Sequence, residues 1–155
     1  MESVPRIPRR PNVPFIAAAV VAAALAAGCA RERDLLGNPI DGTHRVTTFA
    51  VVDGRSQILW KMSAPPPGIR YAENVEYGRV PEGFRQEVPA GGGMPRPMVP
   101  GERLIVVIVT PEFVYRGECE GAAPTEPRCK SWESAPPEKE TVERALRGER
   151  IGRTP

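Results

Sequence analysis

The stretch RLIVVIVT, Arg103 to Thr110, carries six consecutive apolar residues, Leu104 to Val109, most of them β-branched. A strand with one wetted face alternates apolar and polar residues; this one does not, which predicts a strand buried on both faces at the centre of its domain. Working outward, Pro111 interrupts the run, and FVYRGEC, Phe113 to Cys119, reads as the next strand after an edge, bulge or short hairpin. Upstream, HRVTTFAVV, His44 to Val52, leads through the turn pair Asp53-Gly54 into QILWKMS. Period two there places Ile58, Trp60 and Met62 on one face and Leu59, Lys61 and Ser63 on the other, with Trp60 in the core. The stiff loop APPPG follows, then Ile69 and Tyr71, then Val75 and Tyr77 as further strand positions. Helical spacing occurs only near the end, where PEKETVERALRGER sets Glu140 four residues before Arg144 and leaves Val142, Ala145 and Leu146 apolar. Short strands between Pro/Gly loops predict an all-β fold, a small immunoglobulin- or fibronectin-like β-sandwich over residues 43–133. Residues 134–155 form a charged tail, weakly helical, and residues 29–42 a tether.

The N-terminal region is of another kind. FIAAAVVAAALAAGCA, Phe15 to Ala30, is apolar, but the fourteen residues between Pro14 and Cys29 reach only about 21 Å as a helix. A bilayer core needs about 30 Å. Arg6, Arg9 and Arg10 stand in front against a single Glu2, the order of a positive segment and a short apolar segment that marks an export signal, residues 1–28. LAAGC, with Ala26, Ala27 and Gly28 before Cys29, resembles the lipobox of bacterial lipoproteins. That family prefers leucine three residues before the cysteine, where this chain has Ala26. The resemblance implies that the Cys29 sulfur takes a diacylglyceryl group, that the bond before it is cut, and that the new N-terminus is acylated. Several chains on one residue hold a membrane firmly where one does not. Ala30 after the cysteine, in place of aspartate, resembles the class sorted to the outer membrane in cells with two membranes. The expected location is the cell envelope, on the periplasmic face of the outer membrane in such cells.

Charge and cysteine usage follow from that reading. The full chain has 21 Lys+Arg and 19 Asp+Glu; removing residues 1–28 takes three arginines and one glutamate, leaving equal numbers of each sign. Nucleic-acid binding therefore loses its electrostatic footing. With Cys29 assigned to lipid, Cys119 and Cys129 remain as a pair in an oxidising compartment, where a disulfide is expected. It would close the polar segment EGAAPTEPR, contributing about 2.5–3 kcal/mol on a chain-entropy model. The nine-residue gap is not the tight spacing of a metal or redox pair, and His44 is distant in sequence.

The segment Tyr77 to Val109 holds a Tyr-Gly pair, a Pro-x-Gly-Phe turn and a proline-rich loop leading into the apolar strand. It resembles a pattern of small bacterial envelope lipoproteins, which implies a shared fold and no activity. Gly91 to Gly93 give the loop a mobile tip, and Met94 and Met98 offer adaptable apolar contacts if it binds a partner; the plainer reading is a crossover between sheet edges.

No catalytic, metal or cofactor set is expected. His44 has no serine motif beside it, and Glu73 with Glu76, or Glu82 with Glu87, lie among Arg70, Arg79 and Arg85 as solvated ion pairs. AGGGMPRP lacks the lysine and helix of a phosphate loop. The expectation is thus a non-enzymatic structural or protein-interaction role at the envelope, with the membrane as one partner and another envelope protein as a second. The alternative is a binding module for a small molecule or glycan, with Trp60, Tyr71 and Tyr77 as an exposed aromatic platform. The two separate on whether those rings are buried.

Overall fold

A computed structural model describes residues 40–71 and 75–152. The signal segment, Cys29 with its expected lipid, most of the tether, and Glu73 lie outside the described residues.

The described residues are mostly β, with two antiparallel sheets and one short α-helix near the C-terminal end. The strands are β1 (Arg45–Val46), β2 (Thr48–Asp53), β3 (Ile58–Ser63), β4 (Ile69–Arg70), β5 (Arg85–Val88), β6 (Arg103–Val109), β7 (Val114–Ala123) and β8 (Glu126–Ala135). The helix α1 spans Lys139–Leu146. Six strands form one sheet in the order β5-β3-β2-β6-β7-β8, and β1 pairs with β4 as a separate two-stranded ribbon.

The apolar run at 104–109 sits where its composition requires. β6 is paired along its length with β2 on one side and β7 on the other. Its side chains divide between two apolar clusters: Leu104, Val106 and Ile108 join one, Ile105, Val107 and Val109 the other. Each contributes on the order of 1.5–3 kcal/mol by leaving water. The first cluster adds Phe49, Val51, Trp60 and Met62 and is closed by Tyr71, Tyr77 and Met98 from the long connection between β4 and β6. The second adds Ala50, Val52 and Val114 and is closed by Val142, Ala145 and Leu146 of α1 together with Ile151. A helix of eight residues is marginal alone; this one forms because its apolar side has a sheet to cover. Gly148, at φ 76°, ends it by donating its N–H to the Ala145 carbonyl at 2.8 Å.

Val75 and Tyr77 lie between β4 and β5, outside any strand and not in one as expected, and three further local expectations need correction. Val52 faces Ile58 while Val51 faces Trp60, so Leu59 is an extra residue in β3. This β-bulge breaks the period of two: Ile58 lies with the helix-covered cluster, whereas Leu59, Trp60 and Met62 lie with the other. Second, Phe113 precedes β7 and belongs to a tight connection that Thr110 fastens, its hydroxyl accepting from the Phe113 N–H at 3.0 Å. Third, EGAAPTEPR is closed by the expected disulfide but is a paired hairpin and not a loop. β7 and β8 pair through most of it, with Cys119 opposite Cys129 and the two bonded as a disulfide. The segment read as a loop because β8 is an edge strand, and Glu126, Arg128 and Lys130 occupy exposed positions on it.

Candidate functional site

The residues expected to form an aromatic platform are interior. Trp60 is 0 % exposed, and Tyr71 and Tyr77 are buried beside it. The Trp60 ring meets Phe49 and Tyr77 edge-on, with centroids 5.5 and 5.6 Å away. Such T-shaped pairs add about 0.5–1.5 kcal/mol to the burial itself. The platform fails as an exposed stacking surface, because the connection between β4 and β6 lies over these rings.

That connection is tied down at successive points. The Trp60 indole N–H donates to Gln86 Oε1 at 3.0 Å, and the Gln86 amide donates to the carbonyls of Pro89 and Gly93 at 2.9 and 2.7 Å. The Tyr77 hydroxyl donates to the Arg96 carbonyl at 2.9 Å; burial, more than any neighbouring charge, pushes its pKa up to about 12. Met98 is buried, and its N–H donates to the Pro124 carbonyl at 3.0 Å, so it is not the adaptable surface contact expected of it. Met94 is such a surface residue, 77 % exposed.

Of the ion pairs expected with Arg70, Arg79 and Arg85, the one with Arg79 is present, and Glu87 turns instead to a lysine. Glu76 pairs with Arg79 at 3.3 Å, and Glu87 with Lys61 at 2.6 Å. The Lys61 ammonium and the Ser63 hydroxyl hold the Glu87 carboxyl below its ordinary range. His44 Nδ1 stands 3.1 Å from the Asp41 carboxylate in a surface turn. The Asp41 pKa falls to about 2, chiefly through the Thr43 hydroxyl, then the Thr43 N–H and His44.

Two polar constructions went unread in the sequence. The first is a groove of about 450 Å³ where β2 turns into β3, lined by Asp53, Arg55, Gln57, Arg96, Glu102 and Arg103 among others. Asp53 Oδ1 accepts from the N–H groups of Arg55 and Gln57 at 2.8 and 2.9 Å and fixes the turn. Arg96 reaches over from the proline-rich connection: its guanidinium engages both carboxylate oxygens of Glu102 and stands 3.6 Å from Asp53. The Arg96 contact also holds the Glu102 carboxyl below its ordinary range. The available signal was that Arg96 is the only charged residue between Glu87 and Glu102.

The second is a buried ion cluster under the C-terminal segment. Arg116 is fully buried; it donates to the Gly148 carbonyl at 2.9 Å and pairs with Glu118 at 3.2 Å and with Glu133 at 3.9 Å. Glu133 also takes the Arg150 guanidinium at 2.6 Å and the Ile151 N–H at 3.1 Å. Here the signal was period two, which aligns Arg116 with Val114 on an inward face.

Among the described residues, no group of three or more His, Cys, Asp or Glu side chains is placed to hold a metal ion, and no helix is long and apolar enough to cross a membrane. Comparison of the chain with family models, curated proteins and solved structures finds no match.

Proposed function

We propose that this chain is a bacterial envelope protein, held to its membrane by lipid on Cys29, that acts as a rigid structural or protein-interaction module without enzymatic activity. The observation that carries the reading is the Cys119–Cys129 disulfide between β7 and β8. Such bonds persist in oxidising compartments, and that is where an export signal over residues 1–28 would deliver the chain. The interior position of Trp60, Tyr71 and Tyr77 supports the module over a ligand platform, since stacking on a glycan needs an exposed ring face. Ala30 after the cysteine supports the periplasmic face of the outer membrane as its location where the cell has two membranes.

The immunoglobulin- or fibronectin-type sandwich is a finer reading of the same architecture, in which the β1–β4 ribbon is what remains of a second sheet. Slow amide exchange extending along the chain beyond Arg45–Val46 and Ile69–Arg70 would support it; protection confined to those residues would not.

The test is crosslinking in native cells from a photoreactive group at Met94, with Cys29→Ala as the control. A discrete adduct that depends on Cys29 is expected. Failure to recover any discrete adduct overturns the interaction role, and absence of labelled fatty acid on the wild-type protein overturns the anchor.

A further inference from the structure

The groove at the β2–β3 turn is charged, pre-ordered and open. It lies at the end of the sheet where Asp53 faces Leu104, whereas residues 41–47 meet the sheet at the other end, where Thr48 faces Val109. The length of β2, about 17 Å, separates the two ends.

Its two carboxylates are already committed. Asp53 caps the turn through two backbone N–H groups, and Glu102 holds Arg96 and the Val99 N–H. Of its three guanidiniums, Arg96 is fixed by Glu102, and Arg103 is drawn to Glu118 at 3.2 Å. The Arg55 guanidinium is exposed and, among the described residues, has neither a hydrogen bond nor an ion pair, although its charge reaches the Glu102 carboxylate. Its backbone is nonetheless held by Asp53, and Gln57 stands two residues away with an exposed side chain. A cationic donor on a fixed turn, beside a second guanidinium that cannot swing away, binds an anionic group with little ordering cost. Guanidinium suits the oxygens of carboxylate and phosphate alike.

We propose that this groove is a binding site for the carboxylate or phosphate group of a small soluble ligand, with Arg55 as the principal donor and Arg96 as the fixed wall. A volume of about 450 Å³ holds more than the anionic group alone, and lies within the ordinary range of about 300–1,000 Å³ for small-molecule sites. Because Arg55 faces water, binding weakens as salt rises. The site is independent of the lipid anchor, and its failure would leave the envelope role untouched.

The experiment uses the full chain in detergent micelles at low salt, titrated in separate arms with inorganic phosphate and with succinate and followed by NMR of backbone and arginine side-chain groups. Saturable binding in at least one arm is expected, with shifts centred on Arg55 and Gln57. Arg55→Gln weakens it about tenfold, Arg55→Lys retains part of it, and Arg79→Gln, at an exposed arginine paired with Glu76, leaves it unchanged. Response to phosphate alone or to succinate alone identifies the source of the anionic group, and response to both identifies the shared chemistry. Absence of saturation in both arms, or equal weakening by Arg79→Gln and Arg55→Gln, overturns the proposal.

Discussion

Arg116 places a full positive charge inside a structure whose other interior side chains are nearly all apolar. Its Nε and Nη1 have no hydrogen-bond partner among the described residues, so part of its desolvation cost is left standing. A buried ion pair of this kind is often replaceable by apolar residues, whereas removing one partner leaves a charge uncompensated. Arg116→Met strands no carboxylate, because Glu133 keeps Arg150 and the Ile151 N–H and Glu118 keeps Arg103, so it is expected to unfold in urea within about 1 kcal/mol of the wild type. Glu133→Ala is expected to cost about 3 kcal/mol, since buried Arg116 loses an ion-pair partner and Arg150 and the Ile151 N–H lose an acceptor. Equal losses in the two variants would show that the cluster acts as a unit. Gly121 is a simpler case: a Cβ there would stand 2.4 Å from the Val99 carbonyl oxygen, a backbone atom that cannot turn aside. The same denaturation experiment should show Gly121→Ala losing about 1–3 kcal/mol.

At the scale of elements, the β7–β8 hairpin and α1 make contrasting cases. The hairpin has its register fixed by the disulfide and by Trp132, whose ring lies over Gly117 where a Cβ would stand 3.0 Å from it. Cys119→Ser with Cys129→Ser should cost about 2.5–3 kcal/mol in urea without loss of strand content by circular dichroism. β6 was legible because six successive apolar residues allow only burial on both faces. β8 was hidden, since charged residues at an exposed edge mask the alternation on which strand reading depends. The Leu59 bulge escaped because a single extra residue leaves composition unchanged while moving Ile58 to the opposite face. The groove escaped for a different reason: Asp53 and Arg96 meet across 43 positions of chain, and no local pattern couples them. α1 read as weak, and by propensity it is; its stability comes from the sheet it covers.

For the whole molecule, charge placement sets the pH range of stability. Lys61 lowers the Glu87 pKa, Arg96 that of Glu102, and Arg116 that of Glu118; for Glu133 burial pushes upward but the Arg150 contact and the Ile151 N–H outweigh it. Carboxyls lowered in this way contribute their full stability above their ordinary value of 4.5 and lose it as pH falls through their folded-state values. Tyr77 has the opposite sign of shift. Its contribution is complete below pH 10 and is lost between pH 10 and about 12, because the folded state resists ionising it. Unfolding midpoints measured across pH should therefore fall on both sides of a neutral plateau, and Tyr77→Phe should flatten the alkaline limb alone.

The two apolar faces are sealed by pieces made at different times. Residues 71–98 are synthesised before β6 and wait for it, but the other face stays open until residues 142–151 exist to close it. Arg116 and Glu133 likewise find Gly148, Arg150 and Ile151 only then. A growing chain thus cannot close this face until residues 142–151 have left the ribosome.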